Sequence, residues 1–154
     1  IEFNTLSFPK GYEEELFKLQ LKGITPIIAH PERYREIQND TNIAKRWIER
    51  GYFIQIDCAS ILGGFGKNTQ IAAIKLLENG LCHLVGSDAH NDKRRNFLLK
   101  DTLKKVVDTI GQEAKMVFKE NAKNILNGND CISYSVEIKR KSIFQRVLSQ
   151  FKND

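Results

Sequence analysis

Apolar positions along this chain alternate between two spacings. Short apolar runs occupy 25–30 (Thr-Pro-Ile-Ile-Ala-His), 53–57 (Phe-Ile-Gln-Ile-Asp) and 82–87 (Cys-His-Leu-Val-Gly-Ser), and Ile1-Glu2-Phe3 reads as the end of another. Between them, apolar residues recur every three or four positions, the signature of one buried helix face. Such helices are predicted over 12–22 (Tyr12, Leu16, Phe17, Leu19), 42–50 (Ile43, Ala44, Trp47, Ile48) and 68–79 (Ile71, Ile74, Leu76, Leu77). Gly23, Gly51 and Gly80 stand where these helices should stop. Two more are expected over 97–110 and 112–126. Strand–helix alternation with short connections predicts an α/β fold, with about four parallel strands. The glycine-rich stretch Ser60 to Lys67 lacks Walker A spacing and reads as a flexible strand-to-helix loop.

The residues that end the strands carry the chemistry. His30 ends the run at 25–30, Asp57 the run at 53–57, and Asp88 and His90 follow the run at 82–87; Glu2 lies on the strand end at 1–3. In parallel α/β folds, sites form at the carboxyl ends of strands. Asp88 and His90 are two apart and share a face of an extended segment. Imidazoles and carboxylates gathered at one edge suit manganese, iron or zinc better than calcium. The alternative is a set of hydrogen-bonded polar residues rimming a cleft. His83 starts its strand, away from that edge, and reads as a core or rim histidine. Arg33, three residues after His30, and the run Lys93-Arg94-Arg95 after His90 add guanidinium forks suited to phosphate. Some of that run is simple surface charge.

Composition narrows the field little. Hydrophobic residues make up 41% and charged residues 28%, ordinary for a globular protein. No apolar run approaches the roughly 20 residues needed to span a bilayer, and a cytoplasmic location is expected. Cys58, Cys82 and Cys131 form no CxxC pair and read as reduced, mostly buried thiols rather than zinc ligands. The residue six beyond Cys58 is Gly64, so there is no Cys-x5-Arg phosphatase loop. The net charge is +5, and residues 131–154 hold five Lys or Arg against two acidic groups. With Ile143, Phe144, Val147, Leu148 and Phe151 at helical spacing, this basic amphipathic segment is set apart from a main unit of residues 1–130. It packs on its own domain or docks on a partner or membrane surface. No nucleic-acid partner is expected.

The segments Ile1-Glu2-Phe3, Leu16 to Gln20, Ala29-His30-Pro31-Glu32-Arg33-Tyr34, the Ser60–Gly66 loop and Gly86-Ser87-Asp88-Ala89-His90-Asn91 resemble the PHP (polymerase and histidinol phosphatase) superfamily. The closer likeness is to the CpsB/CapC-like tyrosine phosphatases of bacterial capsule and exopolysaccharide operons, over about residues 1–126. That resemblance implies the C-terminal strands and helices of a distorted (β/α)7 barrel holding two or three metals, usually manganese. It implies that Glu2, His30, Asp88 and His90 bind metal, and that Arg33 and Arg95 contact the phosphate. The family's opening His-x-His, with a further His and Glu, would precede Glu2. The chain by itself is therefore expected to be catalytically incomplete and prone to associate. The activity implied is metal-dependent hydrolysis of protein phosphotyrosine, with the tail of a bacterial tyrosine kinase as substrate. A histidinol-phosphatase-like phosphoesterase and a non-catalytic fragment or binding module stand as alternatives.

Overall fold

A computed structural model describes residues 1–92 and 96–135. The elements run, in chain order, α1 (Tyr12–Leu21), β1 (Ile27–Ala29), a 3₁₀ turn (Pro31–Arg33), α2 (Arg35–Asn39), α3 (Asn42–Glu49), β2 (Phe53–Asp57), α4 (Cys58–Leu62), α5 (Lys67–Glu78), β3 (Leu84–Gly86), α6 (Leu99–Ile110) and α7 (Gln112–Leu126). The three strands form one parallel sheet in the order β1-β2-β3. Ile28 pairs with Ile54, and Ile56 with Val85, so Ile28, Ile54 and Ile56 lie on one face and are fully buried against the helices. Trp47, Leu76, Leu77 and Val106 complete that core.

The N-terminal segment is held by aromatic packing. Phe3 and Phe8 join Tyr12, Tyr34 and Trp47 in one cluster, the Phe8 and Tyr12 ring centroids 5.0 Å apart and those of Phe8 and Trp47 5.4 Å apart. The buried Tyr34 hydroxyl accepts from Phe3 N at 2.9 Å and donates to Ala29 O at 2.6 Å. Ile1 lies along β1, its amine donating to Ile27 O and its carbonyl accepting from Ala29 N. Those two bonds follow a parallel register but do not extend into a ladder. The expected strand at Ile1-Glu2-Phe3 is therefore only a one-residue pairing, and the sheet has three strands among the described residues instead of about four.

The glycine-rich stretch also departs from expectation, because its first residues, Ser60 to Leu62, are helical. The Asp57 carboxylate accepts from Ala59 N at 2.7 Å and caps α4 as soon as β2 ends. Beyond α7 the chain folds back. Asn121, fully buried, donates to His83 O and Ile132 O and accepts from Ile132 N, each at 2.8 Å. The Tyr134 hydroxyl donates to Leu77 O at 2.9 Å. Residues 136–154, with the predicted amphipathic stretch, lie outside the described residues. No helix among the described residues is long and apolar enough to cross a membrane.

Candidate metal centre

Parallel register brings the ends of β1, β2 and β3 to one edge of the sheet, and three side chains converge there. His30, Asp57 and Asp88 each offer a ligand atom, and these atoms lie within 4.8 Å of one another. His30 Nε2 is 3.7 Å from Asp88 Oδ2. Both His30 and Asp88 sit in the left-handed region, at φ 53° and 43°, and they are the only non-glycine residues among those described to do so. That conformation is uncommon for residues with a Cβ and clusters at sites where surrounding structure enforces it. At His30 the enforcement is visible. Its N–H is held by Gln55 O at 2.9 Å, and Pro31 opens the 3₁₀ turn directly behind it.

Burial sets the electrostatics. Desolvation lowers the His30 pKa against the opposing pull of Asp88 and Asp57, so the imidazole is neutral at pH 7 and keeps a lone pair to donate. Burial likewise raises the Asp57 carboxyl, offset in part by the bond from Ala59 N. His30 Nδ1 and Asp57 Oδ2 are buried without a hydrogen-bond partner. Unpartnered buried donors and acceptors are rare and call for a reason. A cation held between His30 Nε2 and the two carboxylates supplies one for Asp57 Oδ2, so the residues present fit a transition-metal ion.

Arg33 closes one side of the cluster. Its Nη1 is 3.4 Å from Asp88 Oδ2 and 3.7 Å from Asp57 Oδ2, and its guanidinium carbon stands 4.7 Å from the centre of the Phe65 ring. Behind the centre lies Glu32, fully buried, with Oε1 accepting from Asp57 N at 3.0 Å. Burial pushes its carboxyl up to about 7, while the nearby Ser60 hydroxyl and the Asp57 N–H draw it back. Neither Glu32 Oε2 nor Ser60 Oγ has a well-formed hydrogen bond, so Ser60 acts on Glu32 by proximity.

The other predicted site residues lie farther out. Glu2 is exposed, and its charge reaches His30 only as the weakest of the influences on that imidazole. His90 has 54% of its side-chain surface exposed; its Nδ1 is 2.7 Å from Asp88 O and 3.7 Å from Asp88 Oδ1. Neither joins the three converging ligand atoms. Arg95 lies outside the described residues. Sequence spacing marks Asp57 as a strand end but not as a member of the ligand set, and it gives Glu32 no role of its own. Their shared signal is position: one ends β2, and the other follows His30, which ends the run at 25–30, by two.

His83 is 3% exposed and belongs to the core, its Nδ1 accepting from Ile54 N at 3.2 Å. Cys58 and Cys82 are buried free thiols, both pushed up by desolvation, and Cys131 is a partly buried one.

The sequence and the fold both match those of known proteins. The family described as "Capsular polysaccharide synthesis, CpsB/CapC" matches residues 1–127. The chain is 37% identical to the tyrosine-protein phosphatase YwqE of Bacillus subtilis over 145 residues, covering 94% of this chain and 57% of that protein. It is 33% identical over 135 residues to the tyrosine-protein phosphatase CpsB of Streptococcus agalactiae serotype III, covering 84% of this chain and 56% of the relative. The fold superposes with a TM-score of 0.82 on a solved structure from work on YwqE of Bacillus subtilis and CpsB of Streptococcus pneumoniae, described there as unique metal-dependent tyrosine phosphatases. Identity is 37%, over 91% of this chain and 57% of that one. The chain thus spans a little over half the length of these relatives, and on the extent of the match it belongs to the CpsB/CapC capsular polysaccharide synthesis family.

Proposed function

We propose that this chain forms the C-terminal part of a metal-dependent protein-tyrosine phosphatase that acts in capsule or exopolysaccharide synthesis. The observation that carries the reading is the convergence of His30, Asp57 and Asp88, with Arg33 bridging the two carboxylates. Relatives that carry the name tyrosine-protein phosphatase support it. In this reading the three-stranded sheet is part of a distorted (β/α)7 barrel. The phosphotyrosine substrate is the tail of a bacterial tyrosine kinase, a partner that the family likeness suggests.

His30, Asp57 and Asp88 would hold the metal, with Glu2 and His90 completing the shell from the rim. A mixed imidazole and carboxylate set suits manganese, iron or zinc, and the family likeness makes manganese the ion we favour. When bound, the ion supplies Lewis-acid polarisation of the phosphate and acidification of water. The remaining work falls to protein groups. His30, neutral through burial, presents a lone pair and not a competing positive charge. Glu32 fixes the end of β2 through the Asp57 N–H, and so fixes where the Asp57 carboxylate points. Arg33 offers planar, paired donors to the equatorial phosphate oxygens and stabilises charge that develops on them. Arg95 is proposed as a second such donor. Neither buried cysteine serves as nucleophile: Cys58 and Cys82 are sealed in the core and held as thiols by desolvation.

The decisive experiment uses the full-length protein. Chelation should abolish turnover of a phosphotyrosine peptide, manganese should restore it, and histidinol phosphate should be a poor substrate. Activity that survives chelation, or a preference for histidinol phosphate, would refute the reading.

A further inference from the structure

The glycine-rich loop after α4 contributes nothing to the ligand cluster, yet it delivers an aromatic ring beside it. Gly63 and Gly66, at φ 90° and 91°, turn the chain in the left-handed region that a side chain would strain. The turn is tied to the body of the protein. Gly64 N donates to Ala59 O at 2.7 Å, and Gly66 N to Gly63 O at 3.1 Å. A Cβ on Gly64 would meet the Ala59 side chain and carbonyl oxygen at 3.3 Å, so the loop is pressed onto α4. Phe65 sits between these glycines, 36% exposed, with its ring 4.7 Å from the Arg33 guanidinium carbon.

The two interactions of Arg33 use different parts of the group. A ring stacked on a guanidinium occupies its face, whereas carboxylates and phosphates accept from the N–H donors in its plane. Phe65 can therefore steady Arg33 without competing for the donors that reach Asp57 and Asp88. The carboxylates and the ring are thus both immediate neighbours of one guanidinium. A phosphate that accepts from the in-plane N–H donors of Arg33 is bound next to the Phe65 ring, because that ring stands 4.7 Å from the same guanidinium carbon and is partly exposed.

Building on the phosphatase reading above, we propose that Phe65 is a specificity-determining residue, an apolar wall that favours aryl over alkyl phosphate esters. An aromatic substituent can pack on the ring in an offset or edge-to-face arrangement, which an alkyl group cannot match. A ring whose role ended at Arg33 would treat both ester classes alike.

The test is equilibrium binding to the full-length, manganese-loaded protein. Phenylphosphonate and methylphosphonate are the probes, because their carbon–phosphorus bonds resist hydrolysis. Wild type should prefer phenylphosphonate. Phe65→Leu should weaken phenylphosphonate by about five- to tenfold and methylphosphonate by less than about twofold, and Phe65→Tyr should keep the preference. Should Phe65→Leu fail to fold, Phe65→Met serves as the aliphatic variant. An unchanged preference in the aliphatic variant, or equal weakening of both probes, overturns the inference. A wild type that hydrolyses phosphotyrosine but shows no phenyl preference overturns the inference alone. One that neither binds the probes nor hydrolyses phosphotyrosine overturns the phosphatase reading and this inference with it.

Discussion

Acid should loosen this protein through His83. That imidazole is buried where β3 meets β2 and α7. Its Nδ1 accepts from Ile54 N at 3.2 Å, its ring centroid lies 5.1 Å from that of Phe53, and its backbone bonds Ile54 O and the Asn121 amide. Protonation places an N–H against the Ile54 N–H and a charge in apolar surroundings. Burial accordingly lowers its pKa from 6.5 to about 4. The sign follows from proton counting. Between about pH 4 and 6.5 the unfolded chain binds the proton and the folded one does not, so stability rises with pH across that window and is flat above it. Each pH unit below the unfolded value is worth about 1.36 kcal/mol, so the loss is about 2 kcal/mol at pH 5 and about 3 kcal/mol by pH 4. The comparison variant is His83→Asn, whose amide oxygen can replace the Nδ1 acceptor but does not titrate. It should be less stable at pH 8, through lost packing. Its difference from wild type should then shrink or invert on acidification by about the same 3 kcal/mol. Urea unfolding midpoints from pH 4 to pH 8 measure this, and the subtraction cancels carboxylates common to both proteins. Parallel stability curves for the two proteins would refute the reasoning.

Three further outcomes are expected. Asp57→Asn should preserve the cap on α4, since Asn caps about as well as Asp, yet lower manganese affinity at least about tenfold, as should Asp88→Ala; calorimetric titration of full-length protein checks both, and unaltered affinity removes that residue from the ligand set. Arg33→Lys should lower kcat/KM for a phosphotyrosine peptide by a factor equivalent to roughly 2–3 kcal/mol, because a point charge cannot replace paired planar donors. Its metal content should not change, and wild-type kinetics would remove Arg33 from contact with the phosphate. Asn121→Ala should destabilise the fold by about 2–4 kcal/mol in urea unfolding, since it leaves the buried His83 carbonyl and two partly buried Ile132 backbone groups without their partner; a loss under about 1 kcal/mol would mean that residues 131–135 are held mainly by Tyr134.

Much of this fold was legible in the chain because its elements are local. Helical spacing and stop glycines placed α1, α3, α5 and α7 to within a residue or so, and the run at 53–57 matches β2. The edge that carries the chemistry was legible too, since parallel strands with short connections present their carboxyl ends together. His83 was readable as a core residue from its place at the wrong end of its strand. What the chain could not disclose is which of the polar residues at that edge meet. Convergence depends on strand register and on backbone twists such as the left-handed turns at His30 and Asp88, which no spacing rule encodes. Register puts Asp57 with His30 and Asp88 and leaves Glu2 and His90 exposed. Burial, a property of the packed whole, raises the Glu32 carboxyl to about 7 and lowers the pKa of His30. Phe65 reaches Arg33 across thirty-two positions of sequence only because α4 and its glycine turn fold the loop back over the end of β2. Local periodicity specifies elements one at a time; a site is a relation between elements, and only their packing supplies it.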